Sequence, residues 1–163
     1  MSAKKIASII LICFGILSYS NRFYSHESVT ALNKISIDSD VCITRTKNID
    51  SNQIVIFGNI QDKEFAKIDA LNSELGLANI RVKNIHTDSI INTISKLEGD
   101  FEIYLSPSTY EIRIDFVAYN SIIVRNLEVT YGDVFEVKAN LGIGNGITTY
   151  VWTSEGLVKR LID

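Results

Sequence analysis

The stretch Gly99 to Phe116, GDFEIYLSPSTYEIRIDF, decides the fold class. Phe101, Ile103 and Leu105 recur at every second position, with Glu102 and Tyr104 between them. After Ser-Pro-Ser-Thr the pattern resumes: Tyr110, Ile112, Ile114 and Phe116 share one face, and Glu111, Arg113 and Asp115 the other. Side chains alternate across a strand with period two, whereas a helix would need apolar residues three and four apart. Pro107 is the only proline of the chain and falls between the runs, where its fixed φ suits a turn and its missing N–H breaks no ladder. The stretch is expected to be a β-hairpin with one buried and one wet face.

Outward from it, the same reading continues. Gln53 to Ile60, QIVIFGNI, is a continuous apolar run of strand length, as expected of a strand buried on both faces. Leu77 to Val82 alternates, and Ser89 to Leu97 is rich in β-branched residues and ends at the turn Glu98-Gly99. Ser121 to Val129 and Phe135 to Leu141 follow, joined through Tyr131-Gly132-Asp133. Gln61 to Glu74 is charged, with room for a turn of helix, and Lys34 to Thr44 is a weaker candidate strand. About seven short strands at spacings near ten residues, with no long helical period between them, argue against βαβ units and for an all-β, antiparallel, seven-stranded β-sandwich.

The expected organisation is residues 1–20 as a signal peptide, 21–52 as a polar segment, 53–141 as the sandwich, and 142–163 as a tail with one candidate extra strand from Ile147 to Trp152. The signal-peptide reading rests on Lys4 and Lys5, the apolar run Ile6 to Leu17, and the small-x-small exit Ser18-Tyr19-Ser20. The apolar run is shorter than the ~20 residues needed to span a bilayer. Export to the periplasm, the outer membrane or the medium is the expectation. Removal of residues 1–20 would leave Cys42 as the only cysteine, expected to be buried as a small hydrophobe. A net charge of −3 over 163 residues supplies no basic footprint for nucleic acid.

Three short motifs, in order, resemble the carboxypeptidase regulatory-like domain, a transthyretin-like sandwich with Greek-key connections. They are a V-x-G-x-I-x-D strand (Val55 to Asp62), a G-L-x-N/A-x-x-V strand (Gly76 to Val82), and a G-x-F-x-I-x-L-x-P-G-x-Y-x-I segment (Gly99 to Ile112), followed by a G-Y corner at Tyr119. Ser108 and Ala118 replace two of that family's glycines. If those positions require φ > 0, both residues are strained there. The resemblance implies a non-catalytic module of the stand-alone exported form known from Bacteroidetes-type bacteria, with no cofactor, binding a protein or a cell-envelope component.

The residues offer little to contradict this. His26 and His86 are the only histidines, and His86-Thr87-Asp88 supplies at most two metal ligands. No serine or cysteine carries a nucleophile signature. Transthyretin-like hydrolases end in Tyr-Arg-Gly-Ser, whereas this chain ends Lys159-Arg160-Leu161-Ile162-Asp163, which disfavours a small hydrolase. Intradiol dioxygenases use two tyrosines and two histidines, and His26 lies too close to the expected cleavage site to be a good ligand. Aromatic residues remain as binding candidates: Tyr104, Tyr119, Tyr131 and Trp152, with Tyr150 beside them, as a protein-binding patch or as the stacking platform of a carbohydrate-binding module.

Overall fold

The computed structural model describes residues 38–48, 51–67 and 73–160. The expected signal peptide, His26, and the start of the Lys34 to Thr44 run lie outside them. Among these residues ten strands and one helical turn follow in chain order: β1 Asp40–Lys47, β2 Ile54–Asp62, α1 Lys63–Lys67, β3 Asn79–Asn84, β4 Ile90–Ile94, β5 Asp100–Leu105, β6 Ser108–Asp115, β7 Ser121–Val129, β8 Asp133–Leu141, β9 Ile147–Thr153 and β10 Gly156–Arg160. They form a four-stranded sheet in the order β1-β8-β2-β5 and a six-stranded sheet in the order β10-β9-β7-β6-β3-β4. Strands β1, β9 and β10 extend the sheets beyond residues 53–141 at both ends.

The alternation from Gly99 to Phe116 is realised as burial. Phe101, Ile103, Tyr110, Ile112 and Ile114 are all buried in one core with Ile54, Ile56 and Ile60 of β2, Phe135, Val137 and Ala139 of β8, and Ile80 and Val82 of β3. The pairing differs from the expectation. Among the described strands β5 pairs with β2 alone, and β6 lies between β3 and β7 in the other sheet. Residues 106–107 therefore carry the chain across the sandwich and close no hairpin. Two strands facing each other across a core show the same period-two pattern as two strands side by side, so the pattern does not separate these cases.

The expectation of seven antiparallel strands is also corrected. Besides the larger number of strands, β2 runs parallel to β8, and β7 parallel to β9. The β7–β9 pair has a simple cause. The chain leaves β7 in the six-stranded sheet, crosses to β8 in the four-stranded one, and returns to β9. Each crossing reverses direction, so alternate strands in one sheet run the same way.

β2 is a central strand but not a doubly buried one. Ile54, Ile56 and Ile60 point inward, whereas Phe57 is 40% exposed. Gly58 of the same strand is required for a local reason: a Cβ there would collide with the Val137 carbonyl of β8. In β7 the alternation itself slips, because Val124 and Leu127 are both buried although three residues apart. A β-bulge accounts for this: the register against β6 shifts between Tyr110 and Ile112, and Asn126 takes φ +58°. Cys42, expected buried, is exposed. Val41 and Ile43 pack against the core, and the pleat turns the residue between them outward.

Candidate binding surfaces

Asp62 and Tyr119, from opposite ends of the motif series, meet. Asp62 closes β2 and is nearly fully buried. Its Oδ1 accepts the backbone N–H groups of Glu64 and Phe65 at 2.8 and 2.9 Å, which caps α1. Its Oδ2 accepts the Tyr119 hydroxyl at 2.6 Å. Burial, then the hydrogen bond to this carboxylate, pushes the Tyr119 phenol up to about 12. The ring lies 5.5 Å from that of Phe116. Tyr119 thus ties the end of the four-stranded sheet to the loop that enters β7. Just before it, Ala118 adopts φ +68°, the left-handed conformation that favours glycine. Ser108 begins β6 and has no positive φ, so the turn at Pro107 is of a different kind.

The remaining aromatic candidates are dispersed. Trp152, half-buried, packs edge-on against Phe135 at 5.8 Å, and the Arg45 guanidinium sits 5.6 Å above the same Phe135 ring. Trp152, Arg45, Glu128 and Asn126 border an open cleft of about 760 Å³ at one end of the sandwich. Arg45 is committed within it: Nε donates to Asp133 Oδ1 at 3.0 Å and Nη2 to Oδ2 at 2.6 Å. Burial alone would raise the Asp133 carboxyl, but the hydrogen bonds from Arg45 and from the Thr130 backbone and hydroxyl outweigh it and hold the group below its ordinary value. Tyr150, grouped with the exposed aromatics by sequence, is buried, and its hydroxyl donates to the Ser39 carbonyl at 3.1 Å. Tyr131 stands exposed in the turn between β7 and β8. Among the described residues none of these rings stacks on another candidate.

Tyr104 has a different neighbourhood. It is 58% exposed on the outer face of β5, and its hydroxyl donates to Glu102 on the same face, which raises the phenol's pKa. Val55 is its cross-strand partner and Phe57 pairs with Glu102, so Phe57 and Tyr104 are diagonal neighbours on one open face. Beside them runs a groove of about 430 Å³ lined by Phe57, Asn59, Lys96, Glu102, Glu136 and Lys138. The Asn59 side-chain nitrogen donates to the Glu98 carbonyl and to Asp100 Oδ1, both at 2.8 Å, while its own Oδ1 is buried without a hydrogen-bond partner. Reading β2 as buried on both faces hides Phe57 and Asn59 as surface residues. Parity with the inward Ile54 and Ile56 is the signal that places both outward.

No group of three or more His, Cys, Asp or Glu residues among the described ones could hold a metal ion. His86 lies exposed in the β3–β4 turn, where its backbone N–H donates to Asn84 Oδ1 at 2.9 Å. No described helix is long and apolar enough to cross a membrane. The chain matches no protein-family model and no curated protein. What the architecture establishes is the class: an all-β protein whose two sheets, of four and six strands, pack as a sandwich.

Proposed function

We propose that this is an exported, non-catalytic β-sandwich module that binds a protein or a cell-envelope component through the outer face of its four-stranded sheet. The observation that carries the reading is the exposed Phe57–Tyr104 pair beside an open groove. Solvent-facing aromatics that lie together supply binding area at low entropic cost. The resemblance to carboxypeptidase regulatory-like domains and the expected signal peptide support the same reading, and neither nucleic acid nor a cofactor enters it. A carbohydrate-binding module is the second reading, favoured by the aromatic pair lying next to Asn59, Glu102 and Glu136, whose polar groups suit sugar hydroxyls.

The test compares native protein with a Phe57→Ser/Tyr104→Ser variant in envelope-extract capture and on a glycan array. Loss of a captured component in the variant, with a silent array, is the expected result. Glycan binding that the variant abolishes would establish the second reading. Equal capture by both proteins would remove this face from the account. Sustained turnover of ester or amide substrates would overturn both readings in favour of a small hydrolase.

A further inference from the structure

The six-stranded sheet ends in two edges of different character. β10 carries Lys159 and Arg160, charges of the kind that discourage strand addition. β4 carries none: Ser89-Ile90-Ile91-Asn92-Thr93-Ile94-Ser95 has no charged residue and no proline, and its pairing with β3 is unbroken by a bulge. Ile90, Ile91 and Ile94 are 43%, 41% and 58% exposed. Among the described residues β3 is the only strand that pairs with β4.

The open side of this edge follows from two hydrogen bonds. The Asn84 N–H donates to the Ser89 carbonyl and the Ser95 N–H to the Ala78 carbonyl, both at 2.9 Å. Residues 89, 91, 93 and 95 therefore turn their main-chain groups to β3, and Ile90, Asn92 and Ile94 present theirs to the free edge. Ile91 lies opposite the inward Val82, so the side chains of Ile90, Asn92 and Ile94 stand on the outer face.

We infer that β4 pairs antiparallel with β4 of a second copy, about a two-fold axis at Asn92, joining two six-stranded sheets into one. The strand is nearly a palindrome about that residue. Ser89 faces Ser95, Ile90 faces Ile94, Ile91 faces Thr93, and Asn92 faces itself. The free main-chain groups at 90, 92 and 94 meet in the hydrogen-bonded positions of the new ladder. On the outer face the exposed isoleucines pair with each other and Asn92 with its own amide. Just beyond the strand end, Asp88 is held by Lys83 of its own copy at 2.6 Å, so the register is set by the strand's own residues. The interface is small, so the dimer is reversible and concentration-dependent.

Sedimentation of the protein from micromolar to millimolar concentration tests this, with thermal melts to verify folding. Native protein is expected to pass from monomer to dimer. Ile90→Lys with Ile94→Lys sets lysine against lysine twice across the axis and should weaken association at least about tenfold while leaving the melt nearly unchanged. Ile90→Glu with Ile94→Lys sets glutamate against lysine twice, and should restore the dimer. A native protein that stays monomeric throughout overturns the inference. So does a dimer that tolerates the lysine pair, or a charge-swapped variant that remains monomeric. Slow amide exchange at Ile90, Asn92 and Ile94 in a monomer would also overturn it, because another part of the same chain would then cover the edge.

Discussion

β5 and β6 are adjacent in the chain, share one pattern and bury the same kind of face, yet they live in different mechanical settings. Among the described strands β5 is the edge of the four-stranded sheet with β2 as its single neighbour, whereas β6 sits inside the six-stranded sheet between β3 and β7. Ile103 of β5 is 5% exposed and Ile112 of β6 is 1% exposed, so both are core residues by burial alone. What separates them is how far the surroundings can relax. An edge strand can shift toward a void, and a strand held on both sides cannot.

That difference sets the largest predicted effect. Ile112→Ala should cost about 3–5 kcal/mol, near the upper end for a buried isoleucine, and Ile103→Ala about 2 kcal/mol. Denaturant melts of the two variants make the comparison, and equal losses would show that edge and centre are equally rigid.

The opposite edge of the four-stranded sheet sharpens the point. β1 is held there by the pairing of Arg45 with the fully buried Asp133. Arg45→Met should cost about 2–3 kcal/mol at neutral pH, because a buried carboxylate loses its principal partner; partial exposure of Arg45 keeps the figure below that of a wholly buried pair. The pH dependence has a definite sign. The folded-state pKa of Asp133 is lowered, so its stabilisation is present above the unfolded carboxylate value of ~3.9 and is lost as pH falls through the lower folded value. The gap between native and variant melts should therefore narrow as pH falls below about 4. A constant gap would mean that Arg45 acts through its contact with the Phe135 ring.

Tyr119→Phe removes the hydroxyl that joins the end of β2 to the loop entering β7. It should cost about 1–2 kcal/mol, since a hydrogen bond to a charged group is lost while Asp62 keeps its two backbone donors. A neutral outcome in thermal melts would place the cohesion of this corner in the ring contact with Phe116. Ala118→Gly, one residue earlier, should stabilise by about 1 kcal/mol, because φ +68° strains alanine and not glycine.

The smallest effect belongs to the outer face of β6. Arg113 pairs with Asp115 at 2.8 Å but stands directly opposite Arg81 across the β3–β6 ladder. Arg113→Ala should stay within about 0.5 kcal/mol, the lost ion pair being offset by relief of like charge. A loss as large as that of Ile112→Ala would contradict the assignment of Arg113 to the outer face of β6.

Much of this is legible in the amino-acid sequence. The inward set Phe101, Ile103, Tyr110, Ile112 and Ile114 follows from period two, and the charged run after Asp62 holds the turn of helix that its composition allows, capped by Asp62 itself. Cys42 and Phe57 are misplaced when residue type is weighed above parity. The Arg45–Asp133 pair joins residues 88 apart, and no local spacing announces it. The Phe57–Tyr104 neighbourhood depends on the β2–β5 register, which is equally non-local.

Local pattern is enough to mark most strands and, in the regular ones such as β5 and β6, the side chains that turn inward, because alternation and turn residues act within a few positions of the chain. Long-range pairing settles the rest: which sheet each strand joins, that β2 runs parallel to β8 and β7 to β9, and that residues 106–107 cross between the sheets. Those outcomes depend on which distant strand offers a matching apolar face and a free ladder of hydrogen bonds, and a strand's own pattern is the same whichever partner supplies them.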